Sequence, residues 1–208
     1  MQEKQQNTNG FSKVFVGENG KKGVKLVDGR IVIPADYDEI GYTYDRFTAD
    51  SRPYVALKNG KFGLVKPDGK GTEVAPFIYD DIIVTTGLLN HFLYKKDNSE
   101  RWGFLSYGGY EITPCIIDSW SCGVQTVYFR SGDHYGLWQW AIGELLEPIY
   151  DKIEVLDIDE PTLFVLNGEK GYVKVHNHSF LPESLKETMD EDEWHDDLIE
   201  CIQEQYLD

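Results

Sequence analysis

The chain has 208 residues, with 36 acidic against 20 basic side chains and a formal charge of −16; 41% of residues are apolar and 13% aromatic. This composition excludes a wholly disordered chain and allows a genuine core in one large or two small domains. An acidic surface repels phosphates, no apolar run approaches the roughly 18 residues of a membrane span, and the start MQEKQQNTNG lacks a signal peptide's apolar stretch.

Neither nucleic acid nor a membrane is therefore an expected partner, and the expected compartment is the cytoplasm. Cys115, Cys122 and Cys201 are odd in number and lack CxxC spacing, so they read as reduced thiols, with no metal and no cofactor implied.

Residues 1–10 read as a disordered N-terminal segment. From residue 11 to 182 one pattern returns five times: NGKKGVKLVDGRIVIPADYDEI, NGKFGLVKPDGKGTEVAPFIYDDI, NSERWGFLSYGGYEITPCIIDSW, GDHYGLWQWAIGELLEPIYDKI and NGEKGYVKVHNHSFLPESLKE. Its anchor glycines, Gly23, Gly63, Gly103, Gly136 and Gly171, are 40, 40, 33 and 35 residues apart. Pro34, Pro76, Pro114, Pro148 and Pro182 follow them by 11, 13, 11, 12 and 11. A fixed period of this length marks a repeat architecture.

Each position in the unit has a physical reading. Asn19-Gly20, Asn59-Gly60 and Asn167-Gly168 suit tight hairpin turns, because those turns need positive φ. A second turn falls at Asp28-Gly29, Asp68-Gly69, Gly108-Gly109 and Gly143. The apolar residues between the turns make each unit a three-stranded meander. The proline is expected to end pairing, since it cannot donate to a ladder. Tyr37-Asp38, Tyr79-Asp80 and Tyr150-Asp151 then open a possible fourth strand, with the tyrosines plugging the gap between neighbouring sheets. The first unit, starting near Phe11, lacks the extended stretch that precedes the other four.

These residues resemble the WG repeats of bacterial proteins, whose units centre on aromatic-Gly and continue through Asp-Gly to Pro and Tyr-Asp. The likeness is greatest at KFGLVKPDG with Tyr79-Asp80, and Trp102-Gly103 carries the dipeptide itself. It departs at Lys22, Ile117 and Lys170, where the family has an aromatic residue. The resemblance implies a repetitive all-β binding scaffold without implying a reaction, and some such proteins resemble immunity proteins that neutralise toxins. The expected fold is all-β, five tandem antiparallel β-meander repeats closing as a propeller-like ring, with an open curved repeat array as the alternative.

Residues 183–208 form an acidic segment with eleven acids and one base. Asp190 and Glu193 have capping-box spacing, and Trp194, Leu198, Ile202 and Tyr206 recur every four residues. This pattern predicts a short C-terminal amphipathic helix capping the last sheet. Its outward acids, Asp190, Glu191, Asp192, Glu193, Asp196, Asp197 and Glu200, are candidate partner-binding residues. So are Trp120, Tyr42, Tyr44 and Tyr128 in the connections between units, and Trp138 and Trp140, which share one strand face and either fill a core or form an exposed anchor.

No catalytic residue is assigned. His176 and His178 align with a turn, His91, His134 and His195 lack a recognisable nucleophile motif, and the glycine turns are not phosphate-binding patterns. The expected function is that of a non-enzymatic immunity protein covering the active site of a basic, nuclease-like toxin in a 1:1 complex. A general protein or peptide adaptor is the alternative.

Overall fold

A computed structural model describes residues 12–41, 53–84, 91–122, 126–139, 143–154, 162–175, 177–188 and 198–199. The described strands form five antiparallel sheets. The first contains β1 (Ser12–Val16), β2 (Lys22–Leu26) and β3 (Ile31–Tyr37). The second contains β4 (Glu39–Gly41), β5 (Tyr54–Lys58), β6 (Lys61–Val65) and β7 (Glu73–Tyr79). The third contains β8 (Asp81–Ile83), β9 (His91–Lys95) and β10 (Gly103–Ser106), where an isolated Leu105–Glu111 bridge replaces a further strand.

The fourth sheet contains β11 (Ser119–Cys122), β12 (Thr126–Ser131), β13 (His134–Gln139) and β14 (Glu144–Tyr150). The fifth contains β15 (Lys152–Glu154), β16 (Leu163–Leu166), β17 (Glu169–Val173) and β18 (Phe180–Pro182). The chain divides into two compact units, Met1–Ile116 with the first three sheets and Ile117–Asp208 with the last two.

The turns follow the sequence chemistry. Asn59 and Gly60, like Asn167 and Gly168, all have positive φ, as a two-residue type I′ hairpin requires. At Asn19-Gly20 only the glycine does; Gly17 donates instead to the Lys21 carbonyl at 2.8 Å. In the fifth unit's second turn the left-handed residue is His178, with φ of 54°, while the Asn177 side chain accepts from the Ser179 amide.

Pro182 ends its third strand, β18, but three of the other prolines do not end theirs. Pro34, Pro76 and Pro148 lie inside β3, β7 and β14, and pairing resumes beyond them at Lys22–Tyr37, Phe62–Tyr79 and Tyr135–Tyr150. Register shifts between these pairs and the preceding ones, so each proline occupies a bulged stretch where no ladder donor is required. A close opposing backbone explains the anchor glycines, with a bulge opposite Gly23, Gly63 and Gly136 and an unbroken register at Gly171. A Cβ on Gly23 would lie 2.6 Å from the Ile33 carbonyl oxygen and 2.8 Å from the Ala35 nitrogen. At Gly63, Gly136 and Gly171 the nearest opposing carbonyls, of Ala75, Leu146 and Leu181, would be 2.9, 2.8 and 2.4 Å away. The glycine makes room for a backbone folded over it.

The repeat tyrosines join consecutive sheets. Tyr37 stacks on Phe77 with ring centroids 5.8 Å apart, and its hydroxyl donates to the Gly71 carbonyl at 3.2 Å. Tyr79 meets Tyr94 edge-on at 5.1 Å, and Tyr150 meets Phe164 at 4.8 Å. Around them, Val24, Ile33, Ile40 and Val65 form one apolar cluster, Leu64, Ile82, Phe92 and Leu105 another, and Leu137, Leu146, Val173 and Ile199 a third.

Two expectations are corrected. Among the described residues no strand pairing closes the sheets into a barrel or propeller ring. Among the described strands, the first sheet has no counterpart of the strand that each later sheet receives from the repeat before it. The C-terminal amphipathic helix is not supported either: Leu198 pairs with Lys174 in a β-bridge, and Ile199 donates to the Val173 carbonyl and accepts from the Thr162 amide. Both residues are buried against the last sheet. Backbone pairing with that sheet satisfies their polar groups in an extended form, overriding the helical spacing. A 3-10 turn, Glu183–Thr188, follows β18.

Candidate functional site

The polar groups of the repeat are arranged first of all as joints. Beyond each third strand, the amide of Asp38, Asp80, Asp118 or Asp151 donates at 2.8 Å to a carbonyl of the next hairpin, from Leu57, Lys95, Arg130 or Val165. The same four carboxylates accept the turn amides of Asn59, Asn98, Gly132 and Gly168 at 2.7–2.9 Å. Lys21 and Lys61, two residues before their anchor glycines, close ion pairs with Asp38 and Asp80. The Tyr-Asp motif is thus a splice: tyrosine fills the gap and aspartate clasps the following turn.

Hydrogen bonding from Lys21 and then from the Asn59 amide holds the Asp38 carboxyl below its ordinary value, and Lys61 with the Asn98 amide does the same for Asp80. Asp68 falls from 3.8 to about 2, chiefly through the Thr72 hydroxyl and the Lys70 amide. A carboxyl with a lowered folded-state pKa contributes stability above its unfolded value and loses it as pH falls through the folded one. Thermal melts should therefore show stability declining from about pH 4 towards pH 2. Asp80→Asn should flatten part of that decline; an unaltered pH profile would remove the joint from the account.

A second polar cluster lies between the second and third sheets. Glu111 accepts from Tyr94 at 3.0 Å, from Tyr79 at 3.3 Å and from Lys96 at 2.8 and 3.0 Å. Burial pushes the Glu111 carboxyl up, but Lys96 and the tyrosine hydroxyls outweigh it and leave the group below its ordinary range. Burial and the neighbouring carboxylate raise both phenols, so the tyrosines are neutral donors at neutral pH. This arrangement fixes a negative charge but poises no base or nucleophile. Its members come from three turns of the chain, and no spacing in the sequence announces it. The Lys21 and Lys61 contacts did have a signal, a basic residue recurring two positions before the anchor glycine.

Among the candidate binding residues, Trp138 is 8% exposed and pairs with Val127 and Leu145 across β13. Tyr128 packs on the cluster of Leu137 and Tyr150, and both residues thus serve the interior. Trp120 is half-buried in β11, opposite Phe129. In the register of β11–β13, Trp120 and Trp138 fall on one face of the fourth sheet and Tyr128 on the other. Tyr42, Tyr44, Trp140, Asp190, Glu191, Asp192, Glu193, Asp196, Asp197 and Glu200 lie outside the described residues. Cys115 and Cys122 are both free thiols. Among the described residues no group of three potential metal ligands converges, and no helix is long and apolar enough to cross a membrane.

The described residues present charges of both signs. Lys21, Lys22, Lys61, Lys96 and Lys152 are held in ion pairs with Asp38, Glu39, Asp80, Glu111 and Glu154. Lys25, Lys58 and Lys95 lie over the rings of Phe15, Tyr37 and Trp102 at 5.3, 5.6 and 4.7 Å. Glu18, Glu73, Glu100, Asp133, Glu147 and Glu169 stand exposed, and so do Lys13, Arg30, Lys66, Lys70, Arg130 and Lys170.

No family model matches the chain, and no curated protein matches it. Among solved structures it is similar to the crystal structure of the N-terminal domain of Nup159, at 11% identity and a TM-score of 0.24. The match covers 69% of this chain and 45% of that one. A likeness this slight carries no argument about fold or function.

Proposed function

We propose that the chain is a non-enzymatic protein-binding module of the WG-repeat kind, acting as an immunity protein. It binds a basic, nuclease-like bacterial toxin in a 1:1 complex and covers the toxin's active site. The observation that supports this reading is the charge asymmetry: the chain carries −16 overall, of which −10 falls in residues 183–208. A surface of this sign is complementary to a groove built to hold phosphates. It would speed encounter about 10-fold to 1,000-fold, an effect that salt removes.

The repeat positions are committed to turns, bulges and joints, which leaves partner recognition to the connections and the acidic C-terminal segment. In the test, Asp190, Asp192, Asp196 and Asp197 are replaced together by lysine, and association with the product of the neighbouring gene is followed at low and high salt. The association rate should fall at least tenfold at low salt, with the far-UV spectrum unchanged. Full retention of affinity would remove the C-terminal acids from the interface, and salt-independent kinetics would remove charge steering.

A further inference from the structure

We propose that Asn59-Gly60 is a site of self-modification. The Gly60 backbone nitrogen attacks the side-chain carbonyl carbon of Asn59, and the products, aspartate and isoaspartate, loosen the joint between the first and second sheets. This chemistry is independent of the partner proposed above, because it uses only the chain and water.

Among the described residues, Asn19-Gly20, Asn59-Gly60 and Asn167-Gly168, with Asp28-Gly29 and Asp68-Gly69, set a glycine amide beside a short carbonyl side chain. Asn9-Gly10 lies outside the described residues. The five described pairs are all exposed, so access does not distinguish them. Hydrogen bonds do. The Asn19 side chain donates to the Ala35 carbonyl at 2.9 Å and accepts from the Lys21 amide at 3.0 Å, while Gly20 donates to the Gly17 carbonyl at 3.0 Å. The Asp28 and Asp68 carboxylates accept from the Arg30 and Lys70 amides, and Gly29 and Gly69 donate to the Leu26 and Val32 carbonyls. Gly168 donates to the Asp151 carboxylate at 2.8 Å. In the second sheet Asp38 instead holds the Asn59 main-chain amide, at 2.9 Å, and neither the Asn59 side chain nor the Gly60 N–H is hydrogen-bonded.

The turn at Asn167-Gly168 isolates that difference. Both turns are closed by a strand pair, Lys58–Lys61 or Leu166–Glu169, with φ of 54° and 77° in one and 53° and 79° in the other. Ring closure requires either asparagine to leave this left-handed conformation, and an exposed hairpin tip is where opening costs least. Rotation about the Asn59 Cα–C bond moves Gly60 and leaves the Asn59 amide on Asp38. At Asn167 the same rotation must pull Gly168 from Asp151, and a carboxylate beside an N–H resists the loss of its proton.

As the Gly60 nitrogen bonds to the Asn59 Cγ it loses its proton, the bond from Cγ to the side-chain nitrogen breaks, and ammonia leaves with that proton. Water then opens the cyclic imide. Attack at the side-chain carbonyl leaves aspartate. Attack at the main-chain carbonyl leaves isoaspartate, whose main chain runs through the former side chain and is one methylene longer. Either product places a carboxylate on the residue whose amide Asp38 clasps, and the longer chain no longer fits a two-residue turn.

For the test, the full chain is incubated at mildly alkaline pH, folded or in urea, and its peptides are followed by mass spectrometry with the isoaspartate form resolved by chromatography. In the folded chain Asn59 should convert at least about fivefold faster than Asn19 and Asn167, the factor that one hydrogen bond sets. In urea, which removes these contacts, the three rates should converge. Asp151→Ala should speed Asn167 by a similar factor and leave Asn59 unchanged. The isolated isoaspartate form should melt below Asn59→Asp, which gains the charge without the extra methylene. Equal rates at the three pairs in the folded chain, the same ranking retained in urea, or no conversion at Asn59 would overturn the proposal. An unchanged Asn167 rate in a folded Asp151→Ala chain would overturn its hydrogen-bond basis; should that variant fail to fold, the comparison of folded chain with urea still decides. Equal melting of the isoaspartate and Asn59→Asp forms would overturn the effect on the joint.

Discussion

Gly23→Ala should destabilise the protein by about 3 kcal/mol, at the upper end of overpacking costs, because everything its methyl group meets is backbone. The Ile33 oxygen, the Pro34 carbonyl carbon and the Ala35 nitrogen would all lie within 2.8 Å of the new Cβ. No rotamer change can move them, so the bulge in β3 must open or β2 must shift. For a chain of this size the melting temperature should fall by roughly 6–12 °C. Gly41 supplies the control, since among the described residues a Cβ there meets nothing within 4 Å and its φ is not positive; Gly41→Ala should stay within about 0.5 kcal/mol of the parent. Equal melting of the two variants would refute the steric account of the repeat glycine.

Tyr79→Ala should cost about 3–5 kcal/mol, in the range of large aromatic truncations in a core. The ring is 1% exposed, lies edge-on to Tyr94 and belongs to the cluster of Leu64, Ile82 and Phe92. Its removal leaves a void where two sheets meet. Tyr79→Phe keeps the ring and loses only the bond to Glu111, which retains Tyr94 and Lys96; about 1 kcal/mol is expected. Urea denaturation separates the two variants. A truncation costing no more than the loss of the hydroxyl would mean that the tyrosine does not join the sheets.

Much of this arrangement was legible in the sequence, because its residues act locally or at a fixed period. Asn59-Gly60 and Asn167-Gly168 announce their turns through backbone conformation alone. Tyr37, Tyr79 and Tyr150 announce a joint through their place after each third strand, and the short first unit announces a sheet with one strand fewer. The prolines misled because their missing donor has two outcomes, a strand end or a bulge. Only the opposing glycine, two strands' pairing away from local view, decides between them. Leu198 and Ile199 misled for a related reason: a four-residue apolar period suits a helix, yet the Val173 carbonyl and the Thr162 amide offered Ile199 backbone partners. The cluster of Glu111, Tyr79, Tyr94 and Lys96 had no signal, since its members converge only after two sheets have packed.

The splice at Tyr-Asp means that the unit duplicated along the gene is out of phase with the unit that folds. Each copy ends by starting its successor, so removing one full period, from just after Asp38 through Asp80, would still leave a starter strand in front of the next hairpin. Copy number can therefore rise or fall without stranding a half-built ladder, and a lineage could change the extent of its recognition surface by unequal recombination alone.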